Sequence, residues 1–212
     1  MADSLYLNAI TNMGNAAVVG ALAVTFTANL ILTKSRRAAA AVMAAFAISA
    51  LLIVAMKLIT LGCSANTVIP YLKSPSGHVA ISSATYWTMA VLLSIPAKKW
   101  QRVVIRGAAF LLIAGIALSR WLLHLHSPEE IAAGFLVGLL SYLIVRRWLL
   151  TNVSVSFNGM ALFVSAAAML VIALNVSIPA EDYIQALAQK LHHSINGCVP
   201  ALLKSQISAT KI

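Results

Sequence analysis

The chain has 212 residues, 61% of them hydrophobic and only 9% charged, with a formal net charge of +10. Its mean hydropathy of +0.91 lies well outside the range of soluble globular domains and indicates a polytopic membrane protein. The positive balance does not point to nucleic acid, because the cations are sorted by loop and not gathered on one patch.

Apolar windows of about 20 residues, the length of a membrane-crossing helix, fall at residues 14–33, 38–61, 79–96, 103–123, 129–150 and 158–178. The expected fold is all-α: a single domain built as a six-transmembrane-helix bundle, with a core over about 14–178 and a short amphipathic C-terminal helix in an extracytoplasmic tail, 179–212.

Lys34, Arg36 and Arg37 follow the first window. Lys98, Lys99, Arg102 and Arg106 surround the third-to-fourth connection, and Arg146 and Arg147 close the fifth. These cations occupy alternate loops, as the cytoplasmic side requires. The remaining cations and all the acids, Asp3, Glu129, Glu130, Glu181 and Asp182, fall on the opposite side. Both termini are therefore expected outside. The start has no basic n-region and no small-residue cleavage site, so the first window reads as a retained span.

Lys57 stands late in the second window, and the outer loop from Gly62 to Gly77 follows, punctuated by Pro70 and Pro75. Cys63 opens that loop and Cys198 lies in the tail on the same expected face. An oxidising compartment permits a disulfide between them; two unrelated small apolar residues are the alternative. The loop ends in Lys73-Ser74-Pro75-Ser76-Gly77-His78, directly before the third window. Backbone N–H groups at a helix start make an anion site, Gly77 permits close approach and Ser76 offers a hydroxyl. An ordinary loop-to-helix cap uses the same residue types.

A second polar cluster joins the fourth and fifth windows: Ser119-Arg120, then His124, His126, Ser127-Pro128-Glu129-Glu130. Ionisable groups are costly at a membrane and mark a working site by default. Arg120 offers a planar fork for an oxyanion. Glu130 follows His126 by four positions, so on a helix beginning near Ser127 the carboxylate and imidazole meet on one face. Such a carboxylate fixes the tautomer and frees the other nitrogen for attack. Ser127-Pro128-Glu129-Glu130 also fits a capping box, and both readings of Glu130 stand at this point.

Gly134 and Gly138 form a small-xxx-small pair that lets another helix approach, within the bundle or in a dimer. After Pro179, the positions Ile184, Leu187, Leu191 and Ile195 recur at helical spacing, as in a helix lying on the outer surface or packed on the bundle. His192 and His193 near its end read as solvated tail residues.

These motifs resemble the type 2 phosphatidic acid phosphatase family of integral membrane lipid phosphatases, whose pattern is Lys-x6-Arg-Pro, Pro-Ser-Gly-His and Ser-Arg-x5-His-x3-Asp. The second part is intact at Pro75, Ser76, Gly77 and His78. The third is present at Ser119, Arg120 and His126, with Glu130 in place of Asp. The likeness spans about residues 20–178. The first part is incomplete: Lys57 is in place, but Ser64 and Ala65 stand where Arg-Pro belongs. Lys73 is a candidate to supply the missing charge.

The resemblance implies His126 as nucleophile through a phosphohistidine and His78 as general acid. It also implies Glu130 beside His126, and Lys57, Lys73, Ser76, Gly77 and Arg120 around the phosphoryl group. His124, two residues from His126, is the competing nucleophile. The implied partners are the bilayer and a lipid phosphate: undecaprenyl diphosphate, a lipid A phosphate, phosphatidic acid or phosphatidylglycerol phosphate. The implied place is the periplasmic face of a bacterial inner membrane. No cofactor, metal or nucleic acid is expected, since the histidines lack ligand-type neighbours at metal spacing. Phosphoryl transfer to another lipid, or lipid binding or transport without turnover, are the rival functions.

Overall fold

A computed structural model describes residues 2–62 and 74–174, and four residues between 183 and 187. Seven helices run through these residues: α1 (Ala2–Asn12), α2 (Ala16–Leu32), α3 (Arg36–Gly62), α4 (Gly77–Ser94), α5 (Lys99–Leu122), α6 (Pro128–Trp148) and α7 (Gly159–Leu174). The described residues form no strand, so the all-α expectation stands. Each of the six apolar windows coincides with one of α2 to α7. Cys63, Lys73, Cys198 and nearly all of the expected C-terminal helix lie outside the described residues.

Length and composition qualify α3, α5 and α6 as membrane crossings. A fourth is reached if α1 and α2, bent by 51° at their junction, form one span. These lengths do not by themselves establish six crossings. α4 falls short for a physical reason. It is the central helix, packed by α2, α3, α5 and α6, and it carries Ser82, Ser83, Thr85, Thr88 and Ser94, all buried. Surrounded by protein, it faces little lipid and needs little apolar surface. Several of these hydroxyls close onto carbonyls of their own helix: Ser82 onto His78, Ser83 onto Val79 and Thr88 onto Ala84. That satisfies polar groups which burial would otherwise penalise.

The outward residues of the long helices are apolar, among them Val103, Leu111, Leu136 and Phe163, as a lipid-facing belt requires. The core is made of small packed clusters. One joins Phe26, Leu30, Val42 and Leu92, and another joins Val19, Ile81, Tyr86 and Ile116.

Gly134 and Gly138 decide how closely α6 lies on α4. A Cβ on Gly134 would come within 2.4 Å of the Ser76 carbonyl oxygen, and one on Gly138 within 2.6 Å of the Ala80 oxygen. The small-residue pair therefore serves packing inside the bundle.

The sequence did not reveal α1. Its stretch is too polar to register as a span, and the first apolar window begins only at the break, Met13–Asn15, that separates α1 from α2. There the Asn15 side chain accepts the Ala17 N–H and starts α2.

Candidate active site

The site is built where the start of α4, the end of α5 and the start of α6 meet. α5 ends because residue 124 turns left-handed: His124 has φ 53°, a conformation L-residues other than glycine and asparagine seldom adopt. The reversal is closed by backbone bonds from His124 N–H to the Trp121 carbonyl (2.8 Å) and from Leu125 N–H to that of Arg120 (3.0 Å). His126 N–H adds a longer bond to the same Arg120 carbonyl (3.3 Å). His126 is thus delivered beside Arg120, in the hairpin between α5 and α6.

Ser127 caps α6, with Pro128 in its first turn. The capping box is complete: Ser127 Oγ accepts the Glu130 N–H (3.3 Å) and Glu130 Oε2 accepts the Ser127 N–H (3.1 Å). The same Oε2 lies 2.9 Å from His126 Nδ1. Both readings of Glu130 therefore hold at once, since a carboxylate oxygen has lone pairs enough for two donors.

Its other oxygen does something the sequence did not suggest. Oε1 accepts the Ser74 N–H at 2.8 Å, and the Glu130 carbonyl accepts the Ser76 N–H at 3.0 Å. Glu130, only 8% exposed, ties the Ser74–His78 loop to the histidine hairpin by two backbone bonds. No side-chain motif marks these donors, because they are main-chain groups.

Ser76 is the N-cap of α4, but its side chain makes no capping bond. The buried Oγ atoms of Ser74 and Ser76 have no hydrogen-bond partner among the described residues. Buried hydroxyls are costly when unsatisfied, and an oxyanion in the loop would satisfy them. Lys57 is 2% exposed, and its Cε lies 4.0 Å from where a Cβ on Gly77 would stand. Lys57 therefore lies beside the start of α4. His78, in the first turn of α4, lies within electrostatic reach of Arg120, His126 and Lys57.

Burial holds the His126 imidazole below its ordinary value of 6.5, and the charges of Arg120 and Lys57 push the same way. The Glu130 hydrogen bond opposes them. At neutral pH the ring is uncharged. With Nδ1 engaged by Glu130, its tautomer has the proton on Nδ1 and a lone pair on Nε2.

His78, His126, Glu130, Arg120, Lys57, Ser76 and Gly77 are thus brought together. His124 is exposed and offset by the turn. Sequence reasoning missed Gly14, in the α1–α2 elbow. A Cβ there would meet Ile116 Cγ2 at 2.7 Å and His78 Cβ at 3.2 Å. It also missed Tyr86, whose hydroxyl donates to the Met13 carbonyl at 2.5 Å. Among the described residues no three His, Cys, Asp or Glu side chains form a metal-type group.

Residues 63–154 match the model of the PAP2 superfamily, a stretch that contains His78, Arg120, His126 and Glu130 and begins after Lys57. Glucose-6-phosphatase 3 of Rattus norvegicus is 31% identical over 83 residues, covering 37% of this chain. The chain spans 22% of that relative's length. No solved structure matches. The two likenesses support a phosphatase.

Proposed function

We propose that this chain, assigned by its matched stretch to a type 2 phosphatidic acid phosphatase-like family, hydrolyses the phosphate or diphosphate headgroup of a membrane lipid through a phosphohistidine. The observation that carries the reading is the Glu130 carboxylate. It holds Nδ1 of His126 at 2.9 Å with one oxygen and the phosphate loop's Ser74 N–H at 2.8 Å with the other.

In this reading Nε2 of His126 attacks phosphorus. The bond from phosphorus to the lipid oxygen breaks, and His78, which takes up a proton when the phosphoryl anion binds beside it, gives that proton to the oxygen. Lys57, Arg120, the Ser74 and Ser76 hydroxyls and the Gly77 backbone neutralise the phosphoryl oxygens, with Lys73 as a further cation. Charge placed in advance where it develops is the main catalytic device in phosphoryl transfer. Glu130 stabilises the imidazolium-like ring of the phosphoenzyme. Water, deprotonated by His78, then attacks phosphorus and releases His126 and inorganic phosphate.

Six crossings, both termini outside and a site at the periplasmic face of a bacterial inner membrane complete the proposal, supported by the alternate-loop cations. An isoprenoid diphosphate or a lipid A phosphate suits that face, ahead of phosphatidic acid and phosphatidylglycerol phosphate. The likeness to a glucose-6-phosphatase supports a second reading, a soluble phosphomonoester. The test is phosphate release by purified protein and its His126→Ala variant from those four lipids and from glucose 6-phosphate. Release from a lipid that the variant abolishes supports the first reading; release from glucose 6-phosphate alone supports the second.

A further inference from the structure

α5 and α6 follow one another in the chain yet diverge below the hairpin that joins them. α5 leans on α1 and α4, while α6 leans on α3 and α4. The gap between them is an apolar groove of about 510 Å³, continued inward by a cavity of about 230 Å³ that shares Phe110, Ile113 and Phe135 with it. Ala114 and Ala117 on α5 and Ala132 on α6 leave the space. Trp87 of α4, edge-on to Tyr142 at 6.4 Å between ring centroids, closes the inner end.

The lining follows two helical stripes. From Phe110 to Trp121 the α5 stripe extends about 17 Å, and from Pro128 to Tyr142 the α6 stripe extends about 21 Å. Each covers more than half of a hydrocarbon core of about 30 Å. The outer end fixes what the groove is for. Trp121 and Pro128, which line it, flank the hairpin carrying His126. Trp121 is the direct neighbour of Arg120, and its carbonyl accepts the His124 N–H. A dry channel that opens beside a cationic pocket has the polarity of an anionic single-headed amphiphile.

We infer that this groove seats one hydrocarbon chain of the lipid phosphate, lengthwise between α5 and α6, so that the headgroup is held against His126. The inference rests on the proposed function and deepens it: the groove selects a substrate by its chain. A polyprenyl and a diacyl lipid phosphate share this chemistry, and the test separates them. A single-chain substrate places its whole tail in the groove, whereas a diacyl lipid leaves its second chain in the bilayer.

Ala117→Trp and Ala132→Trp fill the groove without touching the histidines. The tail enters from bilayer hydrocarbon, so the groove contributes close packing and alignment of the headgroup rather than removal from water, and displacing several seated methylenes lowers kcat/KM by about tenfold. That loss is expected for a polyprenyl diphosphate, with a smaller loss for phosphatidic acid and none for phenyl phosphate. Equal losses on all three, or no loss on the lipids, would overturn the groove.

A second measurement uses binding alone. An alkyl phosphonate brominated along its chain should quench Trp121 fluorescence in the His126→Ala protein. The matching brominated alcohol, lacking the anionic head, should not, and Trp121→Phe should remove the part of the quenching that Trp87, at the inner end of the groove, does not supply. Quenching by both amphiphiles alike would sink the groove. Quenching by the phosphonate alone, with the parent protein releasing phosphate from none of the substrates, would leave the groove standing and refute the phosphatase.

Discussion

Glu130 and His126 form a pair, 2.9 Å from carboxylate oxygen to Nδ1, whose carboxylate also starts a helix and holds a loop 56 positions earlier in the chain. One side chain thereby fixes the tautomer of the proposed nucleophile and the distance from that nucleophile to the phosphate loop. Replacing it tests the two duties separately. Gln at the same helical position still supports a capping box, so Glu130→Gln should fold and keep the N-terminal turn of α6. It loses the anion that orients and stabilises the ring. Turnover should fall by about a hundredfold or more, as when a triad carboxylate is amidated, with a stability loss of about 1–3 kcal/mol because the amide NH2 meets one of the two N–H donors, Ser74 or Ser127, that the carboxylate oxygens accept. Activity near the parent's would show that the cap is the residue's main role.

The pH dependence follows from the same pair. As the proposed nucleophile, His126 would attack only as the neutral ring, and burial, Arg120 and Lys57 hold its titration below 6.5. Activity should therefore stay high as pH falls through 6.5 and decline only at a lower value. The Glu130 bond raises that value, so Glu130→Gln should move the acid limb of kcat/KM further down. Arg120→Gln removes a charge that lowers it and should move the limb up. Comparing variants on one substrate cancels the substrate's own titration. Shifts in the reverse directions would refute the assignment of His126 as the titrating base.

His124 and His126 separate by backbone conformation as well as by spacing. Residue 124 sits in the left-handed region at φ 53°, so glycine there relieves a strain of about 1 kcal/mol. His124→Gly should retain appreciable turnover and melt no lower than the parent, whereas His126→Ala should abolish turnover at unchanged stability. Loss of turnover in the first variant and retention in the second would reverse their roles.

Gly134 links packing to chemistry. Its missing Cβ would stand 2.4 Å from the Ser76 carbonyl oxygen, so Gly134→Ala must push α6 from the loop that Glu130 holds. A cost of about 1–3 kcal/mol is expected from overpacking. The parallel change Gly107→Ala meets nothing within 4 Å and should leave stability and turnover intact. Thermal melts and phosphate release on the two variants check the contrast.

The parts of this protein legible in its sequence are those written in side chains at short range. Spacing placed Arg120, His126 and Glu130 in one hairpin, and the four-residue offset at a capped helix start left two readings of Glu130, which its geometry satisfies together. The apolar windows found α2 to α7 at the same short range. Three things were not legible. α4 hides its centrality, because a buried helix trades apolar surface for hydroxyls bonded to its own carbonyls. The loop's attachment to Glu130 runs through main-chain N–H groups that any residue carries. The α1–α2 elbow depends on contacts between parts of the chain more than 60 positions apart, and no local pattern reports those.

That elbow yields the last prediction. Gly14 faces Ile116 and the Cβ of His78, and it lies before the stretch matched to the family, residues 63–154. Any side chain at position 14 would collide with Ile116 Cγ2 at 2.7 Å and press His78 at 3.2 Å. The elbow has little room to retreat, because Tyr86 bonds the Met13 carbonyl from α4. Gly14→Val should therefore shift the proposed general acid and reduce kcat more than it raises KM. Gly14→Ala should show a milder loss, recovered in part by Ile116→Leu, whose unbranched Cβ lacks the Cγ2 that the new methyl meets. Tyr86→Phe frees the elbow at a cost of about 1 kcal/mol and should leave most of the turnover intact. Because leaving-group protonation is the step at issue, the Gly14→Val defect should shrink on a phosphoryl substrate whose leaving group is a good one, such as a nitrophenol. A defect equal on good and poor leaving groups would mean that Gly14 supports only the packing of α1 and α2.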